Sequence, residues 1–124
     1  MRINAIKRMN VLAAASSGAA LALWPEPIGR WLGTTAVGQL RLLGIVTLLY
    51  GAHVLVSSLR ARQSRGELLY FAFCDAGWVA VTALALAAGA ITTASGAVAA
   101  SALAGTVALF GVMYHREARR LRPA

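Results

Sequence analysis

Residues 42–59 read LLGIVTLLYGAHVLVSSL, and His53 is the one basic side chain among them. The hydrocarbon core of a bilayer is about 30 Å thick, so a helix that crosses it needs about 20 apolar residues at 1.5 Å each. Extended back to Val37, this stretch predicts a transmembrane helix over residues 37–59. It indicates a helical membrane protein, because three neighbouring stretches are similarly long and apolar.

Three further apolar stretches predict spans at residues 5–24, 68–88 and 97–114. Residues 68–114 could form one apolar block, but a single helix of that length would measure about 70 Å, more than twice a bilayer. Hydrophobic residues make up 59% of the chain and charged residues 13%, so a soluble domain would lack its polar coat. We predict one all-α domain over residues 1–124, an antiparallel four-helix transmembrane bundle.

The basic residues predict the orientation of this bundle. Most of them lie at the amino terminus, in the loop after the second span and in the tail: Arg2, Lys7, Arg8, Arg60, Arg62, Arg65, Arg116, Arg119, Arg120 and Arg122. Four crossings put these three segments on one side, and basic loops favour the cytoplasm. We therefore expect both termini in the cytoplasm, with the net charge of +8 facing anionic lipid. No basic face on a polar domain suggests nucleic acid as a partner.

The segment after the first span reads WPEPIGRWLG at residues 24–33. Pro25 and Pro27 end the first helix, and Trp24 fits the outer interface, where amphipathic rings concentrate. Apolar residues at helical spacing around Trp31 predict a short helix lying in that interface. A plain loop anchored by Trp31 is the alternative.

Charged residues near the ends of the spans are interpreted as anchors. Lys7 and Arg8 are expected to extend their side chains to the inner headgroups. Arg41 is expected to reach the outer headgroups, with Glu26 as a candidate partner. The first span also fits a cleavable secretory signal, and its loss would leave the remaining topology unchanged.

One polar constellation is predicted inside the membrane. Asp75 is the one acidic residue within a predicted span, and His53 lies at a similar estimated depth on the preceding span. Tyr50 and Trp78 share a second level one turn deeper. A carboxylate at this depth costs several kcal/mol unless it is paired or hydrated, so we expect Asp75 to accept a hydrogen bond from His53, Tyr50 or both. The cluster has two interpretations: a small polar pocket, also walled by Cys74, or a tie between two helices.

Recognisable catalytic and metal-binding motifs are absent from the sequence. No Ser–His–Asp set, phosphate-binding loop, HExxH or CxxC occurs, and the single cysteine, Cys74, precludes an internal disulfide and a cysteine pair for a metal. We predict no metal, no cofactor and no catalytic residue, and leave enzymatic activity undecided.

Three stretches resemble the small four-helix bacterial membrane proteins of the broad DoxX-like kind: WPEPIGRWLG at 24–33, LRLLGIVTLLYGAHVL at 40–55 and CDAGWV at 74–79. The resemblance covers nearly the whole chain. It implies a four-helix bundle in the bacterial inner membrane and transfers no catalytic residue.

Small residues recur at four-residue spacing, as at Ala14 and Gly18 on the first span, and Gly44 and Gly51 stand one heptad apart on the second. Such residues let transmembrane helices approach closely. The leading functional prediction is a non-catalytic accessory subunit of a larger membrane complex, or a homo-oligomer. The alternatives are a small-molecule or proton-coupled carrier that uses Asp75 and His53, and a membrane redox accessory protein.

Overall fold

The computed structural model describes residues 2–121, and every regular element in that range is a helix. The predicted all-α class is therefore confirmed. The five helices are α1 (Arg2–Leu23), α2 (Pro25–Leu32), α3 (Val37–Ser58), α4 (Arg65–Ala87) and α5 (Ala94–Arg120). The segment after the first predicted span is thus the helix α2 rather than a plain loop. Arg122, assigned above to the inner face, lies outside the described residues.

Local chemistry explains where these helices begin and end. Pro25 occupies the start of α2, where its missing N–H costs nothing. The Ser64 and Thr93 side chains accept hydrogen bonds from the backbone N–H of Glu67 and Gly96, and so cap α4 and α5. Because its cap is Ser64, α4 begins at Arg65, three residues before the predicted start of the span.

Three helices in residues 2–121 are long and apolar enough to cross a membrane: α3, α4 and α5. Their outward faces carry large apolar side chains, including Leu49, Phe73 and Leu109, which are 68%, 77% and 65% exposed. Such surfaces suit lipid and would be a liability in water. The helix α1 is not among the three, since Arg2, Lys7 and Arg8 lower the apolar character of its first half.

The long helices associate as two pairs, α1 with α3 and α4 with α5. In the first pair, Ala14 faces Gly51 and Gly18 faces Gly44. A residue later in α1 therefore contacts a residue earlier in α3. A Cβ atom placed on Gly44 would lie 2.5 Å from the backbone nitrogen of Ala22 and 2.7 Å from the carbonyl oxygen of Gly18. The small residues of the two helices therefore permit backbone contact.

A shared core joins the two pairs at one end of the molecule. Phe71 on α4 packs against Tyr114 on α5, with ring centroids 5.6 Å apart, and against Tyr50 on α3 at 5.8 Å. The remaining buried members of this core are Ile3, Val54, Leu68, Phe110 and Ala118. Although α3 and α4 are joined by a short loop, each packs mainly on a different partner. A cleft consequently opens between them beyond this core.

Candidate functional site

Asp75 is the buried acid of the structure, with 2% of its surface exposed. It lies on α4 against Gly111 of α5, where an added Cβ would come within 3.2 Å of the Asp75 Cβ atom. The absence of a side chain at Gly111 therefore makes room for the carboxyl group between the two helices. Among residues 2–121, no lysine, arginine or histidine forms an ion pair with it.

Hydrogen bonds tie Asp75 to side chains from the other pair of helices. The Tyr50 hydroxyl donates to Asp75 Oδ1 over 2.9 Å. The Asn10 amide nitrogen donates to the Tyr50 oxygen over 3.2 Å and to the Tyr114 oxygen over 2.9 Å. Asn10, Tyr50, Asp75 and Tyr114, called here the polar cluster, thus come from α1, α3, α4 and α5. Tyr50 and Asp75 belong to the polar constellation predicted from the sequence, whereas Asn10 and Tyr114 do not.

His53 lies elsewhere than expected. Its Nε2 atom is 3.4 Å from Oε2 of Glu67, and its ring packs on Phe71 at 5.1 Å, so Asp75 is not its partner. The difference comes from depth along the helices. Asp75 lies about 15 Å from the start of α4 and His53 only about 8 Å from the end of α3, at 1.5 Å per residue. The residue of α3 at the level of Asp75 is Tyr50.

Two polar atoms near the cluster lack a hydrogen-bond partner although both are buried. They are Oδ2 of Asp75 and Nε1 of Trp78. A buried polar group without a partner costs about 1–3 kcal/mol, so each such atom calls for an explanation. Both side chains line the same cavity, together with the free thiol of Cys74.

That cavity is the part of the cleft between α3 and α4 that lies nearer to the end of α3 and the start of α4, called here the inner part. It has a volume of about 420 Å³ and is walled by residues of α1, α3, α4 and α5. A second cavity of about 660 Å³ continues it toward α2. The two share six lining residues: Ser17, Leu43, Val46, Trp78, Val81 and Leu103. They therefore form one cleft, with a polar inner end and an apolar outer end.

Charge is distributed very unevenly in this cleft. Among the lining side chains of residues 2–121, Asp75 is the single acid, and neither lysine nor arginine occurs. His53 is the one histidine among the described residues that line the cleft. None of the described residues that line the outer cavity is ionisable. The chemistry of the site is consequently one carboxyl group in an aromatic and aliphatic enclosure.

Hydrogen bonds close the cleft at the α2 end. The Thr92 hydroxyl donates to the carbonyl oxygen of Gly33 over 2.8 Å, and the Thr93 hydroxyl donates to that of Trp31 over 2.5 Å. The backbone N–H of Thr92 also donates to the carbonyl oxygen of Leu32. These contacts, called here the outer clamp, hold α2 against the turn between α4 and α5.

A charged network lies at the opposite end of the helices. Lys7 is fully buried and donates to Ser57 Oγ over 2.7 Å and to Gln63 Oε1 over 2.5 Å. Glu67 accepts hydrogen bonds from Ser57 and, over 2.9 Å, from Arg60. These residues form the inner network, which connects α1, α3 and α4. Lys7 therefore points into the protein rather than to the headgroups as expected, because Ser57 and Gln63 offer it acceptors.

The predicted interfacial anchors are exposed. Trp24 and Trp31 are both largely accessible, and Trp31 also lines the outer cavity. Arg41 is exposed near the start of α3, and within residues 2–121 it forms no ion pair with Glu26. No group of three potential metal-ligating side chains occurs in the same range.

Comparisons with protein-family models, with curated proteins and with solved structures found no match for this chain. The cleft is therefore the feature of the molecule that bears on its function.

Proposed function

We propose that this chain is a small multi-pass membrane protein that binds a small lipophilic molecule in the cleft between α3 and α4, as a carrier does. In this proposal α1 is the fourth span, and the helices form an antiparallel transmembrane bundle with cytoplasmic termini. The pairing of α1 with α3 along their lengths supports the fourth span. The basic inner segments support the orientation, and the DoxX-like resemblance supports a place in the bacterial inner membrane.

One observation carries the functional proposal: within residues 2–121, a buried carboxyl group without a cationic partner lines the inner end of a mainly apolar cleft. An ionisable residue inside a membrane is expensive and usually marks a functional site. A purely structural tie between α3 and α4 needs only one oxygen of Asp75, which Tyr50 already engages. Within residues 2–121 the second oxygen and the Trp78 nitrogen have no hydrogen-bond partner, and in this proposal a ligand in the cavity that both side chains line supplies one.

The shape of the cleft supports a ligand that arrives from the lipid phase. Val46 on α3 and Val81 on α4 line both cavities and are about half exposed on the surface of the chain. The cleft is therefore open between these two helices, while the outer clamp closes its α2 end and the inner network lies at the opposite end of the helices. Its volume lies in the range of sites for drug-sized ligands.

The accessory-subunit and homo-oligomer interpretations stay predictions. Ala14, Gly18, Gly44 and Gly51 are already engaged in the contact between α1 and α3, so they no longer argue for a second chain. A redox accessory role would depend on the single thiol of Cys74.

A variant that fills the cleft tests the proposal. Leu103 on α5 lines both cavities, and Leu103→Trp should occupy the space of the ligand. Leu109→Trp is the matched control, since Leu109 lies on the same helix, is 65% exposed and lines neither cavity. The full chain, purified from membranes in a mild detergent, is compared by native mass spectrometry.

The wild-type protein and Leu109→Trp should carry a small lipophilic adduct, and Leu103→Trp should lose it. Equal adducts on all three proteins, or none on the wild type, would contradict the proposal. Val81→Trp serves as a second filling variant if Leu103→Trp does not fold.

A further inference from the structure

We infer that the ligand of the cleft is a lipophilic monocation, an apolar and preferably aromatic molecule with one protonated amine or quaternary onium group, and that Asp75 is its counter-charge. This inference rests on the proposed function and narrows it to a class of ligand. It follows from the charges and the aromatic side chains that line the cleft.

The first argument is the charge balance of the cleft. When ionised, Asp75 brings one negative charge, and no lysine or arginine among residues 2–121 lines either cavity to neutralise it. The basic residues nearest to the inner end are engaged elsewhere, since Lys7 bonds to Ser57 and Arg60 pairs with Glu67. A buried charge is tolerated when it is paired. A monovalent cation balances this one, whereas an anion would add repulsion.

The second argument is the aromatic lining. Tyr50, His53, Tyr70 and Trp78 line the inner cavity together with Asp75. The faces of aromatic rings attract cations, and aromatic cages are the usual means by which proteins bind quaternary ammonium groups. Tyr50 contacts the carboxyl group directly. An onium group beside Asp75 would therefore meet both an opposite charge and ring faces.

The third argument is the remaining surface of the cleft. The outer cavity is lined by aliphatic and aromatic residues with a few hydroxyl and amide side chains and no charge. It suits the apolar body of a molecule whose charged group lies at the inner end. A small inorganic cation would leave this space unused, and it would lack the ring of oxygen ligands that hard cations require.

Three probes of nearly equal shape and different charge test the inference: tetraphenylphosphonium, neutral tetraphenylsilane and anionic tetraphenylborate. A ligand that binds the folded state raises the thermal midpoint, and the rise grows with the logarithm of the ligand concentration divided by its Kd. Midpoints are measured on the full chain in a non-ionic detergent with each probe over a range of concentrations. Asp75→Asn removes the charge and keeps an oxygen that can accept from Tyr50. Glu117→Gln removes an acid that pairs with Arg120 outside the cleft.

On the wild type and on Glu117→Gln, the phosphonium should bind at least tenfold more tightly than the silane, and the borate should not bind. On Asp75→Asn, the tenfold preference for the phosphonium should disappear. The comparison of the three probes on the wild type needs no variant, so it stands even if Asp75→Asn fails to fold.

Equal binding of the phosphonium and the silane to the wild type would overturn the inference. The cleft would then bind lipophilic molecules regardless of their charge, and the proposed function would stand. Preferred binding of the borate would also overturn it. Binding of none of the three probes would count against both the inference and the proposed function.

Discussion

Tyr50 on α3 donates a hydrogen bond of 2.9 Å to Asp75 on α4, across the cleft that separates these two helices. The same hydroxyl oxygen accepts from Asn10 of α1. One tyrosine therefore links the two helix pairs in the middle of the bundle, where direct packing between α3 and α4 is sparse. Its position determines which oxygen of Asp75 is hydrogen-bonded.

Tyr50→Phe should destabilise the protein modestly. Side-chain hydrogen bonds within membranes contribute about 0.6 kcal/mol on average and up to about 1.7 kcal/mol. We expect a loss near the upper value, because the change leaves Asp75 Oδ1 without its donor. The free energy of unfolding in detergent micelles measures the effect. Tyr70→Phe, on a half-exposed ring of the same cleft, is the control, and an equal loss there would contradict the assignment.

Gly44→Ala should force α1 and α3 apart. The new methyl group would lie 2.5 Å from a backbone nitrogen and 2.7 Å from a backbone oxygen of α1, and backbone atoms cannot move aside as a flexible side chain can. We expect the free energy of unfolding to fall by about 1–3 kcal/mol, which is the usual cost of overpacking. Gly38→Ala on the same helix has nothing within 4 Å of its new Cβ, and it should leave the thermal midpoint unchanged or higher. Equal midpoints for the two variants would show that α1 and α3 do not meet at Gly44.

Glu67→Ala should loosen the inner network. Glu67 accepts from Ser57 and Arg60 and lies beside His53, so its loss removes the negative charge next to buried Lys7. Hydrogen bonds to charged groups contribute about 1.5–3 kcal/mol each, and we expect a total loss of that order. Glu117→Ala, which breaks an exposed pair with Arg120, should cost less than about 1 kcal/mol. Chemical unfolding of both variants measures these free energies. A loss for Glu67→Ala as small as that for Glu117→Ala would contradict a stabilising role for the inner network.

Gly33→Ala should open the outer clamp. Gly33 and Gly89 both have φ of +74°, so an alanine at either position incurs a backbone penalty of about 1–2 kcal/mol. At Gly33 the added Cβ would also collide with the Thr92 hydroxyl, whereas at Gly89 it meets nothing within 4 Å. Limited proteolysis should therefore cut the segment between α2 and α3 faster in Gly33→Ala than in Gly89→Ala. Identical cleavage rates would mean that the contact with Thr92 does not hold α2.

The helices were predictable from sequence because length and apolarity fix them locally. The predicted span 37–59 and the observed α3, Val37–Ser58, differ by one residue. The largest difference lies at the end of α5, which continues to Arg120 beyond the apolar stretch. Charged residues end a span in the membrane but do not end a helix.

The arrangement of the helices was not predictable in the same way. In water, an amphipathic pattern shows which face of a helix is buried, but in lipid apolar residues occur on every face. The pairing of α3 with α1 rather than with α4 therefore had no signal in periodicity beyond the small residues at Gly44 and Gly51. The helix rotations that bring Asn10 and Tyr114 to the polar cluster were hidden for the same reason.

The candidate site was partly visible in the sequence because polar residues in apolar spans are few. Asp75, Tyr50 and Trp78 stood out by type, and the structure places all three, with His53, along one cavity. The partner of His53 depended on the vertical register of two helices, and it is Glu67, which lies about two turns before Asp75 on α4. Asn10 had a usable signal, since an amide inside an apolar helix seeks a partner.

Modification of Asp75 by carbodiimides in native membranes tests the central claim most directly. Apolar dicyclohexylcarbodiimide partitions into the hydrocarbon phase, whereas a water-soluble carbodiimide does not. Peptide mass spectrometry after each treatment shows which carboxyl groups react. The account predicts that the apolar reagent modifies Asp75, that the water-soluble reagent spares it while modifying Glu26 and Glu117, and that Leu103→Trp lowers the modification of Asp75 severalfold. Modification of Asp75 by the water-soluble reagent alone, or by neither reagent, would contradict a carboxyl group in a cleft open to lipid.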